Sequence, residues 1–202
     1  MISYDQPYLD KLKVMEALQT YSAPKSKLTR LLKDETLLRI RRGLYLPPDA
    51  AYSLKTLANM IYGPSYISFE YALSGYGIIP ERVLNITSAA YGKNKHKRFD
   101  TPLGTYLYRT IPSAVFHLGI RRFEEDGSPY LIATVEKAIC DTLYLHRRVQ
   151  SLKDLRELLF DDLRFDRSAL RDLDLNAIST LAPLYGKRIL VQFTRLIQGE
   201  LS

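Results

Sequence analysis

Seven basic side chains, Lys25, Lys27, Arg30, Lys33, Arg39, Arg41 and Arg42, are opposed between residues 25 and 42 only by Asp34 and Glu35, a local net charge of +5. Such a cluster can neutralise phosphates, and arginine adds forked donors that grip phosphate oxygens or guanine edges. The three arginines fall in "LLRIRRGLYLPPD", which alternates apolar and basic residues, breaks at Arg42-Gly43 and stops at two prolines. A second run, "YGKNKHKRF", holds Lys93, Lys95, Lys97 and Arg98 with no acid among them. It is a candidate second nucleic-acid contact, or else a solvated loop between two strands. Residues 151 to 174 carry five bases against seven acids, so the positive excess belongs to the first half of the chain.

Catalytic patterns do not emerge. A restriction-type nuclease needs an acid two positions before a lysine to hold metal and activate water, and no Asp or Glu has that spacing. Gly127-Ser128 and Asp172-Leu173-Asp174 have the residue types of a nucleotidyltransferase but lie too far apart to form its motif. No Gly-X-Ser-X-Gly elbow occurs, and no phosphate-binding glycine loop precedes Gly186-Lys187. Glu124, Glu125 and Asp126 sit beside Gly127 and Pro129, which reads as a hairpin tip. Cys140, the single cysteine, reads as a packed thiol, and His96, His117 and His146 are too scattered for a familiar ligand spacing. The expectation is a chain that is not an enzyme and uses no metal or cofactor.

The elements that would position the basic residues are legible in outline. Residues 7 to about 20 predict a helix with Tyr8, Leu12, Met15 and Leu18 on its apolar face. "YSAPKSKLTRLLKD" predicts a second, with Ser22 as N-cap, Pro24 in the first turn and Leu28, Leu31 and Leu32 as the buried stripe. Its opposite face carries Ser26, Thr29, Arg30 and Lys33. A hairpin follows, Leu37 to Arg41 pairing with Leu44 to Leu46, with glycine in the tight turn. Leu38 and Ile40 are expected to face the helices, with Arg39 and Arg41 pointing away and Arg42 at the tip. A basic helix leading into a basic-tipped ribbon is a winged-helix-like arrangement: the helix enters the major groove and the wing reaches phosphate or minor groove. The predicted DNA-contacting set is Lys25, Ser26, Lys27, Thr29, Arg30, Lys33, Arg39, Arg41 and Arg42.

Beyond Pro47-Pro48 the pattern is mixed. "SLKTLANMIYG" and "ISFEYALSGYGIIP" predict helices, the latter with Ser68 as N-cap. "RVLNITSA", "GTYLYRTI", "AVFHLGIRRF" and "YLIAT" predict strands, and "TVEKAICDTLYLHRR", "SLKDLRELLF" and "GKRILVQFTRLIQGE" predict helices. In "TVEKAICDTLYL", Thr134 can cap and Lys137 with Asp141 makes an i, i+4 pair. Tyr66, Tyr71, Tyr76, Tyr91, Tyr106 and Tyr108 cluster near the strands, where they serve base stacking or core packing. The fold expected is α+β, a small module over residues 1–49 followed by an α+β domain over 50–202 with antiparallel strands and a helical C-terminus.

Four spaced stretches together resemble the AbiEi antitoxin family of type IV toxin-antitoxin systems. They are "RLLKDETLLRIRRGLYLPPD", "YISFEYALSGYGIIPERVLNITSA", "FDTPLGTYLYRTI" and "YLIATVEKAICDTLYL", which cover most of residues 28 to 146. The resemblance implies an N-terminal winged helix that binds repeats in its own promoter. It also implies a C-terminal domain that counteracts a nucleotidyltransferase toxin encoded next door, without need of a stable complex. Family members usually show three helices before the ribbon, whereas here only "YSAP" separates the first helix from the basic one.

The 202-residue chain has a net charge of +7 and a pI near 9.4, which favours polyanionic partners. No apolar run approaches the roughly 20 residues of a membrane span, and the start lacks the basic then apolar segments of a secretory signal, so a cytoplasmic location is expected. Two readings of function compete. The first is an antitoxin that represses its own promoter DNA; the alternative is a free-standing DNA-binding transcriptional regulator with a ligand-sensing C-terminal domain.

Overall fold

In a computed structural model, which describes residues 7–200, the chain is mixed α+β and builds two sheets. The first part runs β1 (Leu9–Asp10), α1 (Lys11–Ala17), α2 (Pro24–Lys33), β2 (Leu38–Arg41) and β3 (Leu44–Leu46). Its three strands lie in the order β1-β3-β2, all antiparallel. The predicted first helix is therefore shorter than 7–20. Leu9 leaves it for the sheet, Asp10 caps it by accepting the Lys13 amide, and Val14 and Leu18 turn inward while Leu12 is exposed. Ser22 does not cap α2. Ala23 holds that position, Pro24 supplies the first turn, and Leu28, Leu31 and Leu32 are only half-buried against Leu9, Val14, Leu18, Leu37 and Tyr45.

The second part contains α3 (Leu54–Ile61), β4 (Ser65–Ile67), α4 (Phe69–Gly75), β5 (Ile86–Ala90), β6 (Lys97–Thr101), β7 (Gly104–Thr110), β8 (Ile120–Glu125) and β9 (Ser128–Ala133). Helices α5 (Val135–Leu145), α6 (Leu152–Glu157), α7 (Leu175–Leu181) and α8 (Arg188–Glu200) complete it. The sheet order is β6-β7-β5-β4-β9-β8. The expected antiparallel pairing holds for β4–β5, β6–β7 and β8–β9 and fails for β5–β7 and β4–β9, which are parallel. "AVFHLGIRRF" is not one strand: Ser113–Val115 form a 3-10 turn, and β8 begins only at Ile120. At the β8–β9 turn, Asp126 and Gly127 both have positive φ, as a two-residue hairpin of matching twist requires.

Strand β9 touches β4 in register only at Ile67 and Ile132, which leaves the backbone of Pro129 and Leu131 open on that side. Helix α3 closes it. The Thr56 hydroxyl donates to the Pro129 carbonyl at 2.8 Å, and the Asn59 amide oxygen accepts the Leu131 N–H at 2.6 Å. Side chains thus complete a ladder that an uncovered edge would leave unpaired.

Helix α5 is buried along most of its length, including the charged Lys137 and Asp141, both 0% exposed. The Lys137 ammonium meets Asp141 Oδ1 at 3.1 Å, the Val115 carbonyl at 2.9 Å and the Tyr185 hydroxyl at 2.5 Å. Asp141 also accepts from Tyr185 on Oδ1, and from Tyr66 and Ser68 on Oδ2, at 2.6, 2.9 and 2.7 Å. Ser68 therefore holds the N-cap position of α4, as expected, without capping the helix with its own hydroxyl. The Thr87 hydroxyl does so instead, accepting the Tyr71 amide and donating to the Ser68 carbonyl. Burial pushes the Lys137 pKa down while the Asp141 carboxylate opposes the shift.

Removing one partner of a fully buried pair leaves the other charge stranded. Asp141→Ala is expected to cost about 3–5 kcal/mol, read as a lower urea midpoint, and Lys137→Met in the same chain should recover part of the loss. Equal losses in the single and double variants would assign the effect to the orphaned hydroxyls and not to the ion pair.

Candidate nucleic-acid interface

The α2 helix presents Ser26, Thr29, Arg30 and Lys33 to solvent, as its periodicity predicts, and Lys25 is exposed as well. Lys27 differs: it is half-buried, with its ammonium 5.0 Å from the centre of the Tyr21 ring. Arg30 and Lys33 occupy the last turn, where their charge also complements the carbonyl end of the helix.

The hairpin departs from expectation in the direction of its faces. Leu37 and Tyr45 join the cluster beneath α1 and α2, while Ile40, Leu44 and Leu46 enter the main core with Leu57 and Ile61 of α3. Leu38 and Ile40 thus face the second part of the chain and not the N-terminal helices, because the hairpin is sandwiched between two apolar surfaces. The ladder slips between Arg39 and Arg41, an irregularity that re-aims the side chains beyond it. Arg41 turns inward, donating to the Arg42 carbonyl at 2.9 Å and reaching the Met60 carbonyl at the end of α3 at 3.4 Å. It is a latch between hairpin and α3, and not one of the outward-pointing arginines. Arg39 and Arg42 remain exposed, Arg42 beside Gly43, whose φ of +83° the tight turn requires.

The second basic run is partly strand and not wholly loop, since Lys97 and Arg98 open β6. A polar edge strand of this composition carries no apolar alternation that sequence inspection could detect. Lys97 lies opposite Tyr108 in the β6–β7 ladder and shares its face. Lys93 is half-buried with its ammonium 4.8 Å from the centre of the Tyr62 ring, which packs on Phe99 and Tyr108. Arg98 points to the other face, where its guanidinium grips both oxygens of Asp100 at 3.0 and 2.9 Å. Its charge is already matched. Lys95 and Lys97 are exposed.

Strand β2 lies beside β6, which brings the two basic runs together. Arg41 and Lys93 flank the same aromatic cluster of Tyr62 and Tyr108. Lys25, Arg30 and Lys33 on α2, Arg39 and Arg42 on the hairpin, and Lys95 and Lys97 at β6 are exposed, and of these elements the hairpin adjoins β6. Exposed cations on neighbouring strands of this kind can neutralise nearby phosphates.

No group of His, Cys, Asp or Glu among the described residues could hold a metal ion. Glu125 of the acidic hairpin tip is paired with Lys55 at 2.8 Å and accepts from Ser53. Cys140 is fully buried, and burial pushes its thiol up. No described helix is long and apolar enough to cross a membrane. Comparison with family models gives no match, and comparison with curated proteins gives none either.

The Arg98 hydrogen bonds hold the Asp100 carboxyl below the ordinary aspartate range, with help from the Thr105 hydroxyl. A depressed folded value means that the pair stabilises above the ordinary range and that this contribution disappears as pH falls through the folded value. Arg98→Ala should move the Asp100 midpoint upward in an NMR carboxyl titration. An unmoved midpoint would assign the depression to Thr105.

Proposed function

We propose that the chain is an antitoxin of the type IV kind that represses its own promoter, counteracting a nucleotidyltransferase encoded beside it. The observation that carries the DNA-binding half is the exposed cation set of α2, Lys25, Arg30 and Lys33, leading into a hairpin whose Arg39 and Arg42 are free. Two helices followed by a hairpin, with β1 paired against β3, support reading α2 as the recognition helix and the hairpin as a wing. Lys95 and Lys97 extend the surface onto the second part. The antitoxin half rests on the resemblance of the four stretches to the AbiEi family. In this reading the chain has no catalytic role and acts in the cytoplasm, where promoter and toxin are found.

The runner-up, a free-standing regulator with a ligand-sensing second domain, is favoured by one observation, a cleft of about 360 Å³ between α4 and the β8–β9 hairpin. The two readings share the DNA interface and differ in the need for a toxin.

Deleting the first 49 residues would expose Ile40's and Leu46's partners in the main core, so the test uses the full chain. Arg39→Ala with Arg42→Ala should flatten the salt dependence of promoter binding by about one unit of slope per lost phosphate contact. The same variant should still relieve growth arrest by the neighbouring nucleotidyltransferase. An unchanged slope would remove the hairpin from the interface, and arrest that even the wild-type chain does not relieve would leave the regulator.

A further inference from the structure

The cleft between α4 and the β8–β9 hairpin has a chemistry distinct from that of the basic surface. Phe123 and Tyr130 stand directly opposite in the β8–β9 ladder with their rings stacked, 6.1 Å between centroids and 22° between planes. Tyr71 and Tyr76 line the cleft from α4 and its C-terminal end, and Lys55 closes it from α3, with its ammonium 5.1 Å from the centre of the Tyr130 ring. Phe123 and Tyr76 are 42% and 37% exposed, so broad aromatic faces stand open at its mouth. Large aromatics left open around a concave site are unusual on a surface that only meets water.

Arg121 supplies a cation. It shares the sheet face of Phe123 by the two-residue period of the strand, and its charge acts on the neighbouring Tyr76 phenol. Unlike Arg122, which approaches Glu124, and Lys55, which is held by Glu125, Arg121 forms no ion pair among the described residues. The cleft volume of about 360 Å³ lies in the range of small-ligand sites. Aromatic walls accept any base by its π-face, and an unpaired guanidinium on the same strand face, outside the lining itself, suits a phosphate.

We propose that this cleft binds a nucleotide, with the base among Phe123, Tyr130 and Tyr76 and the phosphate at Arg121. The nucleotide comes either free, as an effector, or as an unpaired residue of an RNA strand. The site is independent of the promoter-binding surface, which uses other elements.

Calorimetric titration of the full chain with adenosine monophosphate and with single-stranded oligoadenylate tests the proposal. Binding is expected to weaken about tenfold or more in Phe123→Ala, the worth of one base stack, and to fall in Arg121→Ala, with the melting temperature of each variant unchanged. Arg39→Ala with Arg42→Ala should leave binding of the mononucleotide intact, which separates this site from the promoter interface. Binding of the mononucleotide identifies an effector site, and Phe123-dependent binding of oligoadenylate alone identifies an RNA strand. The proposal is overturned if neither probe binds, or if both bind Phe123→Ala as tightly as the wild type.

Discussion

The buried pair of Lys137 and Asp141 is the constraint on which the second part of the fold turns. Two charges withdrawn from water are tolerable only when every donor and acceptor is met, and here the ammonium has three acceptors while the carboxylate receives four donors. Those partners come from β4, the turn before α4, the 3-10 turn at Val115 and the turn at Tyr185. Helix α5 therefore cannot shift without breaking contacts to the sheet and to the C-terminal helices together. The Lys137 stem also explains Gly119, since a Cβ there would stand 2.9 Å from the Lys137 Cβ. The position of α4 follows. Its first residue, Phe69, is held at a φ of +59°, a strained value for a bulky side chain, by complete burial and by Arg109, which packs on its ring and binds Glu70. The cleft beside α4 is thus bounded by a helix with little freedom to move.

A second constraint acts at the hairpin. It has no exposed apolar face: one side serves the cluster below α1 and α2, and the other the main core. Packing on both sides leaves only the tip and edge for charge, which is where Arg39 and Arg42 lie. The module that carries α2 is thereby seated on the larger unit through the same residues that shape its hairpin, and β6 is brought alongside.

Much of this was legible in the sequence where the signal is local. The apolar periods of α2, α3, α5 and α8, the glycine turn of the hairpin and the Asp126-Gly127 turn follow from residue type and spacing. The parallel pairings of β5 with β7 and β4 with β9 join segments apart in sequence, and no local pattern encodes them. Strand β4 is three residues long and buried throughout, and β6 is charged and exposed, so neither shows alternation. Among the candidate contacts, sequence reasoning placed Lys25, Arg30, Lys33, Arg39 and Arg42 on exposed faces. It missed the inward turn of Arg41, which depends on a ladder slip, and the Arg98 pairing with Asp100. It also read Lys137 and Asp141 as an ordinary i, i+4 pair. The apolar residues Ala138, Ile139, Cys140 and Leu143 around them mark a core helix, and only the burial of the two charges themselves had no local signal.

The loss of Arg41 from the exposed set strengthens the remainder. A two-residue hairpin tip on its own would fluctuate, and ordering it on a phosphate would consume part of the binding free energy. The bonds from Arg41 to its own tip and to the end of α3 fix that tip before any ligand arrives. Arg42 is then presented from a backbone already in place, and Arg39 from a strand paired to Tyr45. One arginine that anchors the tip thus leaves two others exposed on a backbone already in place, and a phosphate met there, as the proposed promoter contact requires, would be bound with less conformational loss.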